Sequence, residues 1–230
     1  MINPNFIKTQ IGINSFTHQE LLEIALTHPD AIGENLDLTP KERKLRTLEY
    51  WGITHLGSNL FSQIVSDYLH LHCSHLGEAT RTLLKSDLVS PIILAKLALK
   101  IKIDQGSDLG QNYPLKPEFE QQKILSEMFE ALVGAIYLEW DRDFEKTYNW
   151  LVNQFIAKVV NQILMDLFIE FVPAADWDAN FYHWFGFQSF NLSFSPIDLQ
   201  IDLYFLFIKL SFFSDQSLKS WGGLRIFRTK

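Results

Sequence analysis

One cysteine, Cys73, stands among 230 residues. That excludes an internal disulfide framework and fits a reducing compartment. Long apolar runs are missing as well. The richest, Ile201 to Phe213, is too short to cross a bilayer and carries Asp202 and Lys209. The opening residues, MINPNFIKTQ, lack the basic-then-apolar pattern of a secretory leader. A soluble, cytoplasmic protein with no membrane partner is therefore expected. Nor is there a surplus of positive charge. Twenty-seven acids face 20 bases for a net charge of −7, so any contact with nucleic acid must come from a local patch. No phosphate-binding glycine loop, nucleophile elbow or internal repeat occurs. What the chain does have is core-forming material. With 47% hydrophobic and 20% charged residues it can build one sizeable domain, or a domain with an appendage.

The pattern changes near residue 165. Through residues 1–165 apolar positions recur every three or four residues, the period of a helix packed on one face. A first helix is expected over Ser15–Leu26, with Ser15 or Thr17 as its cap. A polar connection, 30–40, should lead to a charged helix over 41–50 and a longer one over 55–73. The stripe of that longer helix is Leu56, Leu60, Ile64 and Leu69. One or two helices follow over 80–101, with Pro91 suited to a first turn. Two glycines and two prolines make 106–117 a loop. Helices over 124–140 and 144–164 close an all-α unit. Residues 166–230 hold 12 of the 19 phenylalanines and only 5 bases against 7 acids. A strand could lie within 198–213, but the turn signals there are irregular and assign no fold to this tail.

The segment Ile124-Leu-Ser-Glu-Met-Phe-Glu-Ala-Leu-Val-Gly-Ala-Ile-Tyr-Leu138 carries the chemistry. Glu127 and Glu130 stand three apart in an otherwise apolar helix and so project from one face. Two like charges there repel, and burying them is costly unless something cationic compensates. A hard divalent cation such as Mg²⁺ or Mn²⁺ would do so. On spacing alone, the solvated side of an amphipathic helix is the better reading of this face.

This segment resembles the second metal-binding helix of the ribonuclease III family. Two further stretches agree in order: Leu21-Leu-Glu-Ile-Ala-Leu-Thr-His-Pro29 with the opening helix, and Leu84-Lys-Ser-Asp-Leu-Val89 with the segment after the first long helix. The resemblance covers residues 15–160. It implies an all-helical endonuclease domain that works as a homodimer and cuts double-stranded RNA, including ribosomal RNA precursors, with Mg²⁺ or Mn²⁺. It also implies that Glu127 and Glu130 are metal ligands and catalytic residues, with Glu78 as a further acid supporting the metal.

The family's first motif, Glu-x-x-Glu-Phe-Leu-Gly-Asp, is degraded. In one register His55-Leu-Gly-Ser-Asn-Leu60 matches its core, placing Ser58 at the aspartate, Thr54 at the second glutamate and Trp51 at the first. This register runs without gaps to Glu78. A competing register keeps Glu49 but sets Ile53 at the aspartate. Neither retains the aspartate. The family cage of four carboxylates is thus reduced to Glu127 and Glu130 facing hydroxyls at Ser58 and Thr54, so weaker metal binding and weaker hydrolysis are expected. If the resemblance holds, Ser58 should lie beside Glu127 and Glu130, and at least one of these acids should have a raised pKa.

Phosphate contacts would come from Lys41, Arg43, Lys44 and Arg46, and from Arg81 and Lys85, although an ordinary solvated surface is an equal reading. His70, His72, Cys73 and His75 are spread around a helix end and suit its dipole better than a metal. His28 reads as a packing or hydrogen-bonding histidine. The tail resembles no double-stranded-RNA-binding domain in charge or pattern. The expected layout is a ribonuclease III-like domain over 1–165 and an aromatic-rich tail over 166–230. The expected dimer interface includes the Leu56–Leu69 stripe. The alternatives are a non-catalytic member of the fold that binds RNA or a ribonucleoprotein, and a helical scaffold with no RNA role.

Overall fold

A computed structural model describes residues 2–163, apart from Asn14 and His75. The boundary expected near residue 165 and the strand expected within 198–213 lie outside the described residues. Residues up to Lys158 form one compact unit. Its described residues are helical, with a lone parallel bridge between Thr27 and Asp108. None of its helices is long and apolar enough to cross a membrane.

Helix α1 (Pro4–Ile11) was not expected from the sequence. Asn3 caps it by accepting the Phe6 N–H, Pro4 fits its first turn, and Gly12 ends it in the left-handed region at φ 71°. Helix α2 (Gln19–Ala25) is shorter than expected, and neither Ser15 nor Thr17 caps it through a side chain. The Glu139 carboxylate arrives instead and accepts the N–H groups of Thr17 and His18 at 2.5 and 2.9 Å. A cap borrowed from 121 residues away leaves no local signal. The expected polar connection holds a helix of its own, α3 (Pro29–Glu34), capped by His28.

The two helices expected over 41–50 and 55–73 are one, α4 (Pro40–His72), of 33 residues. Thr39 and Glu42 form a reciprocal capping box at its start. Gly52 does not interrupt it, since an exposed helical glycine costs only about 1 kcal/mol against alanine. The expected pair over 80–101 is α5 (Glu78–Leu88) and α6 (Pro91–Lys100), the latter capped by Ser90 with Pro91 in its first turn. A short α7 (Ile103–Gly106) precedes the loop, which contains one 3₁₀ turn at Tyr113–Leu115. Helix α8 (Glu118–Glu139) follows, then α9 (Phe144–Leu151), capped by Asp143 and continuing through a π turn over Val152–Ile156.

Helix α8 forms the centre of the unit, packed against α4, α6 and α2. Met128, Phe129, Ala131, Leu132, Val133, Ala135 and Ile136 have no exposed surface. Phe129 meets Phe61 of α4 and Phe155 edge-on, with ring centroids 5.7 and 5.4 Å away. A helix so enclosed has no broad solvated face, so its two internal acids sit at a boundary and not on an open surface.

A split acidic site between two helices

Helices α4 and α8 meet glycine against glycine. A Cβ added at Gly57 would run into the Glu130 carbonyl oxygen and lie 2.7 Å from the Gly134 nitrogen. One added at Gly134 would strike the Ile53 carbonyl and lie 2.9 Å from its Cγ2. The backbones approach more closely than any larger residue permits. Gly52, by contrast, faces open space. The crossing therefore uses the Gly57 register, and the residue after Gly57 is delivered to the acids of α8.

That residue is Ser58, whose hydroxyl hydrogen-bonds the Glu130 carboxylate. Burial pushes the Glu130 carboxyl above its usual range. The Ser58 hydrogen bond opposes the shift, and the Glu127 charge adds to it. Glu127 is held from both sides. Its Oε2 lies 3.3 Å from His28 Nε2 and its Oε1 lies 3.8 Å from Lys123 Nζ, one turn earlier on α8. His28 Nδ1 accepts the Asp30 N–H at 3.1 Å as the cap of α3. In the neutral ring the hydrogen is then on Nε2, which donates to Glu127. Asp30 in turn pairs with Lys116 at 3.3 Å.

On α4, Thr54 is buried and donates its hydroxyl to the Tyr50 carbonyl at 2.8 Å, so that hydrogen is committed to the helix backbone. Trp51 is 40% exposed and stacks edge-on against Tyr50. Tyr50 has no exposed surface and meets the His28 ring edge-on at 5.7 Å. Its hydroxyl is buried without a hydrogen-bond partner. Burial, then the Glu127 charge, push the phenol well above its ordinary pKa, and the nearby Thr54 hydroxyl moderates this.

Glu78 is exposed in the first turn of α5. Among the described residues no three His, Cys, Asp or Glu side chains are arranged to hold a metal ion, so Glu78 does not complete a ready-made site with Glu127 and Glu130. The same holds for His70, His72 and Cys73, and His72 instead packs on the Tyr68 ring at 4.6 Å. Lys41, Lys44 and Arg46 are exposed along the start of α4, and Arg81 and Lys85 are half-buried on α5. Arg43 is partly spent, donating to the Gly33 and Asn35 carbonyls at 3.3 and 3.4 Å. The stripe expected at an interface is mostly internal, with Leu60, Ile64 and Leu69 buried in the subunit's own core. Leu45, Leu48 and Leu71, 56%, 59% and 64% exposed, join Trp51 as the large apolar residues that α4 offers outward.

The sequence reading missed Lys123 and Tyr50 as neighbours of the acids, and the link from His28 to Glu127. Only Lys123, four residues before Glu127, left a local signal. The donor set fits a weakly held, hydrated divalent cation bound through two carboxylates. It does not fit a four-carboxylate cage.

The sequence profile of the Ribonuclease-III-like family matches residues 18–159. The chain is 32% identical over 138 residues to Ribonuclease 3 of Buchnera aphidicola from Schizaphis graminum, covering 60% of this chain and 54% of that protein. It is 30% identical over 152 residues to Ribonuclease 3 of Francisella philomiragia, covering 66% of this chain and 58% of that protein. The matched stretch thus spans a little over half of each of these relatives. The nuclease domain of ribonuclease III from Campylobacter jejuni superposes with a TM-score of 0.52 at 22% identity. The superposition takes in 68% of this chain and 97% of that one, and likeness at this identity speaks for the fold alone.

Proposed function

From the premise that the chain belongs to the ribonuclease-III-like family, we propose that it acts on structured, double-stranded RNA, with metal-dependent phosphodiester hydrolysis weakened by an incomplete acidic site. The observation that carries this reading is the meeting of Ser58 and Glu130 across the glycine crossing. Glu127 is the second carboxylate there, and hydroxyls stand where two acids of the first motif belong.

Glu127 and Glu130 would hold a divalent cation, Mg²⁺ or Mn²⁺. When bound, the cation supplies positive charge that acidifies water and offsets phosphate charge. The chain's own residues set the geometry. His28 orients Glu127, and Ser58 donates to Glu130, lowering the cost of keeping that buried carboxylate ionised. Lys41, Lys44, Arg46, Arg81 and Lys85 supply contacts to RNA phosphates. Arg43 contributes less, because it is tied to the end of α3.

We further propose a homodimer. The nuclease domain of the Campylobacter jejuni ribonuclease III has a flexible region involved in dimer formation. Here the exposed Leu45, Leu48 and Trp51 on α4 supply an apolar strip for a second copy. Residues 1–165 would form the nuclease-like domain and 166–230 a separate tail. The test sets cleavage of long double-stranded RNA in Mg²⁺ and in Mn²⁺ beside RNA binding without metal. Binding with little or no cutting is expected. Robust cutting that Glu130→Gln abolishes would refute the weakened-site reading. Light scattering at tens of micromolar, an order-of-magnitude range for a modest interface, checks the dimer, and a monomer there counts against it.

A non-catalytic RNA-binding role is the second reading. It is favoured by the engagement of both Glu127 oxygens, by His28 and by Lys123, which compensates this acid without a metal.

A further inference from the structure

Away from the acid pair, an open cleft of about 310 Å³ lies between α4 and α9. Its walls are Asp67, His70 and Leu71 of α4 and Phe144, Glu145 and Tyr148 of α9. Asp67 follows Ser58 by about two and a half helical turns, so the two leave α4 on opposite faces. The lining is mostly apolar, with Leu71 largely exposed near the end of α4. Phe144 and Tyr148, one turn apart, set their rings side by side, tilted by 35° with centroids 6.3 Å apart. The Tyr148 hydroxyl is buried, so its ring is the part that faces the cleft. Among the described residues neither Asp67 nor Glu145 has an ion-pair partner. Lys146, the base next to Glu145, is drawn instead to the Trp140 ring, 4.6 Å from its centroid. Two uncompensated carboxylates therefore stand beside two aromatic rings and an exposed leucine.

We propose that this cleft is a docking site for an arginine side chain presented by a partner protein. Charge complementarity names the occupant. Carboxylates repel phosphate, which argues against an RNA backbone here, and a neutral apolar ligand would leave both acids unanswered. A guanidinium suits every wall. Its flat face stacks on an aromatic ring, its N–H groups donate to Asp67 and Glu145, and its aliphatic stem lies along Leu71. His70, when neutral, offers a ring nitrogen as a further acceptor. A lysine ammonium answers these walls less well, being a compact and strongly hydrated point charge that cannot stack as a plane. The cleft stands at the lower end of ligand-site volumes, about 300 Å³, which suits one long side chain. The chain's net charge of −7 attracts basic partners in general, and the cleft gives one of their residues a fixed seat. This site does not depend on the acid pair or on its metal.

The experiment titrates the full chain, labelled for NMR, with a capped glycine-serine peptide holding one central arginine, at about pH 8 where histidine is neutral. Two companion peptides carry lysine or citrulline, the neutral isostere of arginine, in its place. Free arginine and spermidine serve as small-cation probes. The arginine peptide should bind at roughly millimolar strength, as befits one side chain, and shift the amide signals of residues 67–71 and 144–148. The lysine peptide should bind about threefold more weakly and the citrulline peptide should not bind. Asp67→Asn with Glu145→Gln should weaken the arginine peptide by about three- to tenfold, the worth of two exposed ion pairs. Tyr148→Leu should weaken it by about threefold, whereas Tyr148→Phe, which keeps the ring, should not. Should Tyr148→Leu lower the urea midpoint, the acid variant decides alone. Undiminished binding in the acid variant, or equal binding of the citrulline peptide, overturns the site. Absence of shifts with the arginine peptide into the millimolar range does so as well. Tighter binding of free arginine or spermidine than of the peptide assigns the cleft to a small cation and overturns the partner protein. Self-association lost in the acid variant identifies a second copy as the occupant and likewise overturns it.

Discussion

Helix α8 carries acids near its end and its middle that live under opposite rules. Glu139, at the C-terminal end, has a side chain only 5% exposed. Burial pushes its pKa upward, but the N–H groups of Thr17 and His18 and the His18 ring more than offset this, so it rests below its usual value. Glu130, nine residues earlier, is also partly buried but has Ser58 as its stabilising donor and a like charge beside it, and it rests above its usual value. One carboxylate is saturated by fixed donors and serves as a clamp. The other is short of donors and faces a neighbour it repels. A carboxylate whose bonds are all made has no capacity left for a ligand, whereas an under-served one does.

The largest expected effect removes the crossing that creates the contrast. Gly57→Ala should destabilise the unit by about 2–4 kcal/mol, since its Cβ meets backbone atoms that cannot move aside independently. Urea denaturation measures this, and Gly52→Ala, in open space, is the control expected to be neutral or slightly stabilising. If both variants behave alike, the close approach of α4 and α8 is wrong.

Glu139→Gln comes next. It exchanges charge-assisted bonds for neutral ones and should cost about 1–2 kcal/mol at neutral pH. Because the folded pKa lies below the unfolded one, the clamp's contribution is fully present above the unfolded value. It is lost as pH falls through the folded value. The gap between unmodified and variant protein should therefore close in acid, which midpoints at a series of pH values would reveal.

Ser58→Asp sharpens the comparison from the other side. A third carboxylate against Glu130 should lower metal-free stability by about 1 kcal/mol, while raising Mn²⁺ affinity by about tenfold. Adding Thr54→Glu is expected to cost more than it gains, because Thr54 is buried and bonded to the backbone. Mn²⁺ titration of the two variants separates these cases.

Glu130→Gln should have the smallest effect on stability, within about 0.5 kcal/mol and in the stabilising direction at neutral pH. A raised folded pKa means that the ionised group opposes folding above the unfolded value and that this opposition fades as pH falls through the folded value. The variant's advantage should accordingly shrink in acid. An advantage that grows in acid contradicts the raised pKa.

Much of the helical unit was legible because its signals are local. Pro91 after Ser90 and apolar residues at helical spacing each announce themselves within a few positions. Helices α1 and α3 were missed although their caps are local, whereas two other errors had distant causes. The start of α2 is set by Glu139 from the far end of α8, and α4 runs on through Gly52 because its two halves share one core. In the site, the pair Glu127 and Glu130 and the Gly57 register could be read from the motif, as could the loss of the facing acids.

The sequence by itself determined the all-helical class, the acid pair and the hydroxyls that replaced its partners, since residue type and helical spacing are properties of the chain alone. Tertiary structure decided how those groups behave. It brought His28 to Glu127 across 99 positions, committed Thr54 to the Tyr50 carbonyl, pushed Glu130 up and Glu139 down, and left the Tyr50 hydroxyl without a partner. The reason is that the charge state and free hydrogen-bonding capacity of a buried group depend on which donors and charges surround it, and those neighbours meet only when the chain has folded.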